Sequence, residues 1–247
     1  MGDTALVLTY HSISAMPGPT SIAPETFAMQ METLAACGYE SATLEQFLDW
    51  HQGKADLGRH VLITFDDAFA DFAEQAVPIM QRHGFTALMF VPTHKLGGVE
   101  DWYTNPPTNR ALMTRDQVVS LAGQGMEFGA HGCTHVALTD VTGAEREDEI
   151  AGSGSDLAQW LGMPTRAFAA PYGAVDAGVV DAISRHYPIA FGTTFEKARR
   201  MKDRHDIPRI DMHYFREKSA WRNFLEGRMF YFRARQALRR VGQMVRG

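Results

Sequence analysis

The chain has 247 residues, 45% of them apolar, and a net charge of −5 at neutral pH. That length suits a single α/β barrel, which takes about 250 residues, and the apolar share allows a sizeable core. The acidic balance gives no ground for nucleic-acid binding, two cysteines exclude a disulfide framework, and no run approaches the roughly 18 apolar residues of a membrane span. The N-terminus lacks the basic and apolar regions of a signal peptide, so the chain reads as cytoplasmic.

Residues 5–9 (ALVLT) form an apolar run of strand type, followed at once by Tyr10-His11-Ser12. Pro17, Gly18 and Pro19 mark a loop. Pro24 opens a helix through about Cys37, with Phe27, Met31 and Leu34 at helical spacing and Gly38 as its stop. Thr43 starts another, through Trp50. Residues 61–65 (VLITF) are β-branched or apolar throughout, the pattern of a strand buried on both faces, and they run straight into Asp66-Asp67. Adjacent carboxylates at a buried strand tip repel and are costly to desolvate. A cation is the simplest compensation; the alternative is that one Asp caps the next helix while the other meets water.

Residues 70–83 read as a helix and 87–91 (ALMFV) as a strand. Residues 97–109 form a long loop carrying Asp101-Trp102-Tyr103, of the kind more often used for binding than for connection. Thr114 caps a helix through Gln124, residues 126–130 are a strand running into His131, and 142–161 are helical. Residues 166–170 are a strand ending in Pro171-Tyr172-Gly173. A helix through His186 and strand candidates at 189–192 and 207–212 follow. From Trp221 onward, Tyr231, Ala234, Leu238, Val241 and Val245 recur at helical spacing among arginines. This is a basic amphipathic helix able to lie on an anionic membrane surface or to bind a partner; the other reading packs its apolar side on an acidic barrel. Residues 216–247 carry a net +7 against −12 for the rest, which divides the chain into a body, 1–215, and a basic helical tail, 216–247.

Strands alternating with helices, without an internal repeat, imply a parallel sheet with helices outside, either doubly wound or a barrel. In both, ligands gather at the C-terminal ends of the strands, where His11, Asp66-Asp67, His131 and Pro171-Tyr172 stand. His131-Gly132-Cys133-Thr134-His135 sets two imidazoles at i and i+4, neighbours if the segment is a helical turn. Such a pair commonly holds Zn²⁺, and a carboxylate from Asp66-Asp67 completes a three-ligand site with open positions. On a helical turn Cys133 faces away from both histidines, as a packing residue.

TFDDAF (64–69), HGCTH (131–135) and FAAPYG (168–173), in this order, resemble three motifs of the polysaccharide deacetylases (NodB-homology domain, carbohydrate esterase family 4). LTYHSIS at the start and IPRI at 207–210 are similar to the branch acting on poly-N-acetylglucosamine and related exopolysaccharides. The resemblance implies a distorted (β/α)7 barrel of TIM-like type, with Asp67, His131 and His135 as metal ligands. It further implies Asp66 as general base toward a metal-activated water, and an oxyanion held in part by the Tyr172 N–H beside Pro171. The cation would be Zn²⁺, or else Co²⁺, Ni²⁺ or Mn²⁺. Where many members carry an arginine that orients the base, this chain has Ala169; Arg166 need not point the same way, and Arg209 is the candidate substitute at the substrate end, unless it forms only a salt bridge there. No residue cleanly matches the family's late Leu-x-His acid; of His213 and His11, His11 is favoured, as acid or substrate contact. Trp102 and Tyr103 either form an aromatic lip for sugar rings or anchor their loop.

The expected activity is metal-dependent removal of an N-acetyl or N-formyl group from an amino sugar in a glycan or glycolipid. A small non-sugar amide is the second substrate class, and a catalytically silent glycan-binding barrel the alternative. With the tail on a membrane, the substrate would be a lipid-linked amino sugar at the inner leaflet.

Overall fold

The computed structural model describes residues 2–16, 18, 20–102 and 109–246, with side chains as far as Arg239. In chain order it forms β1 (Thr4–Tyr10), β2 (Ser12–Ile13), β3 (Ser21–Ile22), α1 (Pro24–Ala36), β4 (Glu40–Ser41), α2 (Leu44–His51), β5 (His60–Phe65) and α3 (Val77–Gln81). Next come β6 (Leu88–Val91), α4 (Arg115–Ala122), β7 (Glu127–Ala130), α5 (Gly143–Glu147), α6 (Ser153–Leu161), β8 (Ala167–Ala169), α7 (Ala177–His186) and β9 (Ile189–Phe191). β10 (Ala198–Arg199), β11 (Ile210–Asp211), α8 (Lys218–Leu225) and α9 (Phe230–Arg246) complete it. Thr43 and Thr114 cap α2 and α4 through capping boxes with Gln46 and Gln117.

The main sheet runs β10-β1-β5-β6-β7-β8-β9, with β4 on β5 and β11 on β1. Among the described residues, only the β1–β10 pair of this sheet is antiparallel. Ile207 bridges Phe191 of β9 while Ile210 and Asp211 pair with Leu8 and Thr9 of β1, so one segment meets strands from both ends of the sheet. The sheet is curled. Phe90 on β6 and Phe191 on β9 stand 5.5 Å apart although β7 and β8 lie between them, a contact that a flat sheet forbids.

Strand periodicity sorts the apolar residues into two cores. Val7, Leu62, Phe90, Ala169 and Phe191 line the concave face, with Phe47 and Trp50 of α2 against them. Leu8, Ile63, Phe65, Met89 and Phe168 face the helices. Gly129 of β7 lies on the concave side, where a Cβ would fall 2.7 Å from the Phe90 ring. The alternation carries Leu62 and Thr64 inward and brings Asp66 to the same face, above the packed core.

Two expected helices contain π-helical turns, Phe72–Ala76 before α3 and Asp148–Gly152 between α5 and α6. Both sit where an acid reaches a strand-end loop, a common setting for π-bulges. Asp71 accepts from Ser12 Oγ at 2.6 Å and Ile13 N at 2.9 Å, beside His11. Glu149 holds the loop after β7, as described below.

The tail is two helices, separated at Gly227, whose φ of 88° suits a residue without Cβ. Trp221 of α8 is fully buried and donates to the Gln30 carbonyl at 3.1 Å, while the Gln30 amide donates to the carbonyls of Met212 and Phe215.

Candidate active site

β1 and β5 pair in register from Leu6↔Val61 to Tyr10↔Phe65, so the residues leaving them, His11 and Asp66, come side by side, with Nε2 and Oδ2 3.8 Å apart. β7, two strands from β5, delivers His131, and β8 delivers Ala170-Pro171-Tyr172. A pocket of about 240 Å³ opens at these strand ends, lined by His11, Asp66, Asp67, His131, His135, Ala170, Tyr172, Gly173 and Thr193.

Asp67, His131 and His135 are buried, and one ligand atom from each lies within 4.8 Å of the others. Asp67 Oδ1 is 3.3 Å from His131 Nε2 and 3.1 Å from His135 Nε2. His131 Nδ1 donates to the Ala169 carbonyl at 2.7 Å. A neutral His131 therefore turns the lone pair of Nε2 toward a carboxylate, an arrangement favourable only with a positive charge between them. Burial raises the Asp67 carboxyl, but the two imidazoles beside it outweigh that and hold the group well below the usual carboxylate range. Burial lowers His135; in His131 the same burial is outweighed by Asp67 and Asp66, and its pKa rises. One hard oxygen and two imidazole nitrogens fit a divalent metal of the zinc type.

The histidine pair is not carried on a helical turn, as the spacing suggests. Residues 131–135 form a bend in which Gly132 has φ 73° and His135 φ 63°. Glu149 holds that bend: it accepts from the N–H groups of Cys133 and Thr134 at 2.7 and 3.0 Å and from Thr134 Oγ1 at 2.6 Å. A Cβ on Gly132 would meet Glu149 Oε2 at 2.9 Å. Cys133 is buried, with its Sγ toward the Asp148 carbonyl, and burial pushes its thiol up to about 11. Its Sγ is also grouped with His94 and Asp156 within 4.8 Å, apart from the Asp67 cluster.

Asp66 carries no ligand role in this cluster. Arg209 grips it bidentately, Nη1 to Oδ1 at 2.7 Å and Nη2 to Oδ2 at 2.8 Å. Arg209 is 2% exposed and also donates to the Gly192 carbonyl and Thr64 Oγ1, so it stands behind the carboxylate rather than in the pocket. Burial raises the Asp66 carboxyl, but Arg209 above all, with His131 and His11, outweighs that and keeps it below its ordinary value. Arg166 is elsewhere, exposed and paired with Glu45 of α2.

Trp102 stacks on His135 with ring centroids 4.0 Å apart, and Tyr172 meets the same imidazole edge-on at 4.8 Å. His135 Nδ1 and Trp102 Nε1 are buried without a hydrogen-bond partner. Tyr103 lies outside the described residues. Below Trp102, the loop base is fixed by a buried pair, Arg110 with Glu100 at 2.6 and 2.8 Å, the guanidinium carbon 4.1 Å from the Phe69 ring centroid. Asp67, Ala68, His135 and Tyr172 all have positive φ without being glycine, a concentration of backbone strain typical of functional sites. His213, the other acid candidate, accepts from Arg216 through Nδ1 and does not line the pocket.

Sequence reasoning did not single out Glu149, Asp71 or Thr193. Thr193 had a readable signal, a hydroxyl just past the strand at 189–192. Glu149 and Asp71 had none, because the loop each serves belongs to another element, 15–16 positions earlier for Glu149 and 58–59 for Asp71.

The profile of the family described as polysaccharide deacetylase matches residues 53–187. YxkH of Bacillus subtilis (strain 168), named for the same family, is 28% identical over 148 residues, 60% of this chain and 49% of that protein. The chain thus spans about half the length of this curated relative. The structure of IcaB from Ammonifex degensii superposes with a TM-score of 0.76 at 22% identity, covering 91% of this chain and 97% of that one. The Streptococcus pyogenes deacetylase PplD, solved with acetate, gives 0.74 at 22% identity, covering 84% and 92%. At such identities these two superpositions establish a shared fold.

Proposed function

The chain belongs to the polysaccharide deacetylase family, and from that premise we propose that it is a metal-dependent amide hydrolase removing the N-acetyl, or N-formyl, group of an amino sugar in a polysaccharide, oligosaccharide or lipid-linked glycan. One observation carries the reading: Asp67, His131 and His135 converge on one point, and Asp66, held by Arg209, stands unligated beside it. The curled sheet is read as the distorted (β/α)7 barrel of the family, with residues 216–247 as its basic extension.

Asp67, His131 and His135 would hold the cation, with Zn²⁺ best matched to the donor set and Co²⁺, Ni²⁺ or Mn²⁺ the other candidates. When bound, it would acidify a water and polarise the amide carbonyl. Asp66, kept ionised by Arg209, takes the proton from the attacking water. The Tyr172 N–H, presented at the strained turn after Pro171, steadies the oxyanion. His11, in the pocket wall with its Nε2 3.8 Å from Asp66 Oδ2, is the donor of a proton to the departing amine as the C–N bond breaks and the acyl group leaves as its acid. Trp102 and Tyr172 offer apolar ring surface to the sugar at the rim.

Metal analysis of the purified protein together with acetate release from N-acetylglucosamine oligomers tests this. One divalent ion per chain and stoichiometric acetate are expected. Bound metal without turnover on any amide would favour a silent glycan-binding barrel, against which the Arg209–Asp66 contact weighs. Turnover of simple amides but not sugars would favour a small non-sugar substrate.

A further inference from the structure

Helix α9 lies on the body of the protein by the side that carries Phe232, Arg235, Gln236 and Arg239, with the Phe232 ring packed on Phe195 and Phe224. Phe232 is buried, the Gln236 amide donates to the Phe195 carbonyl at 2.9 Å, and Arg239 donates to the Thr193 carbonyl at 3.2 Å and approaches Asp211. The opposite side is apolar and open to solvent. Phe230 is 88% and Leu238 63% exposed, with exposed Ala234 and Ala237 between them at i+4 and i+7. The same spacing continues in the sequence through Val241 and Val245. From Arg228 to the C-terminus there are six arginines and no acidic residue, although the chain as a whole is acidic.

We propose that α9 seats this protein on an anionic phospholipid surface, its apolar stripe in the headgroup boundary, with exposed Arg233 at the edge of that stripe and the acid-free positive charge of the helix drawn to the lipid charge. No helix among the described residues is long and apolar enough to cross a membrane, and the contact proposed for α9 is a peripheral one. A second copy of the chain is a poorer occupant, because pairing two stripes would bring two acid-free arginine sets together. The docked helix also holds the pocket near the lipid: Thr193, whose carbonyl Arg239 takes, lines the pocket. Resting on the deacetylase reading, the substrate class that follows is an amino sugar carried on a lipid.

The test is sedimentation of the full chain with vesicles of phosphatidylglycerol and phosphatidylcholine, or phosphatidylcholine alone, using wild type and the double variant Phe230→Glu/Leu238→Glu. Binding is expected to the anionic vesicles, about ten-fold or more weaker in the variant, and reduced by high salt. Both substituted side chains are exposed, and circular dichroism and acetate release from a soluble oligomer are expected to be unchanged. A wild type left in the supernatant, or a variant that pellets equally, overturns the proposal. So does a dimer that the variant dissociates without any vesicle binding. Vesicle binding by a protein inactive on every amide would sink the deacetylase reading and leave this one standing.

Discussion

Arg209 closes both arms of its guanidinium on Asp66, a residue 143 positions earlier in the chain, inside the concave face of the curled sheet. The pair fixes both the direction and the charge of the carboxylate. Replacing Arg209 with Met leaves Asp66 buried and unbalanced, so its pKa rises. A base whose pKa is held low is competent above that value and fails as pH falls through it. Raising the pKa therefore moves the acid limb of the kcat/KM profile to higher pH. A loss of roughly 10²-fold at neutral pH is expected as well, from misplacement; an unmoved acid limb in the pH–rate profile would show that Arg209 is only structural.

Asp66→Asn should separate chemistry from metal binding. The ligand trio is untouched, so metal content measured by mass spectrometry stays near one ion per chain. Turnover falls by about 10²- to 10⁴-fold, the usual contribution of a general base. Asp67→Asn, by contrast, is expected to lose the metal along with the activity.

Glu149 touches no ligand side chain, yet it carries the bend that presents His135. Glu149→Ala frees two N–H groups and the Thr134 hydroxyl. A drop in metal affinity of about 10- to 100-fold is expected, as for groups that orient ligands from behind. Calorimetric titration with Zn²⁺ measures it, and Glu149→Gln should recover part of the loss.

The two cysteines should differ in native thiol labelling. Cys133 is 5% exposed and its thiol is raised to about 11, whereas Cys37 is partly open to solvent. Maleimide at pH 7.5 (about neutral, where only a thiolate reacts quickly) is expected to modify Cys37 alone, and Cys133 only after unfolding. Peptide mapping of the labelled protein reads this directly.

Arg110 and Glu100 form a buried pair at the base of the loop that bears Trp102. Arg110→Ala takes the two guanidinium hydrogen bonds from the buried Glu100 carboxylate, with an expected cost of up to about 3–5 kcal/mol in urea unfolding. Exchanging both residues for apolar ones should cost far less; an equal loss would show that packing on Phe69, not charge, is what matters.

Much of the site was readable before folding was considered, because a buried apolar strand that ends in polar chemistry announces itself locally. Neighbours one to five residues away mark His11, Asp66, Asp67, His131 and Tyr172 in the sequence, and all five line one pocket. The spacing of His131 and His135 suggests a helical turn, but a three-residue gap cannot distinguish a turn of helix from a bend. Gly132 and the carboxylate of Glu149 decide for the bend. Arg209 is the candidate that the sequence favours over Arg166, but only the curl of the sheet, which brings the last strand beside the first, sets it against Asp66. The tail shows the same division most sharply. Its periodicity determines that one side is apolar and the other basic; which side faces the protein depends on what it meets. Here Phe232 packs on Phe195 and Phe224 while the carbonyls of Thr193 and Phe195 and the carboxylate of Asp211 take Arg239 and Gln236, so the stripe through Phe230 and Leu238 is left outward.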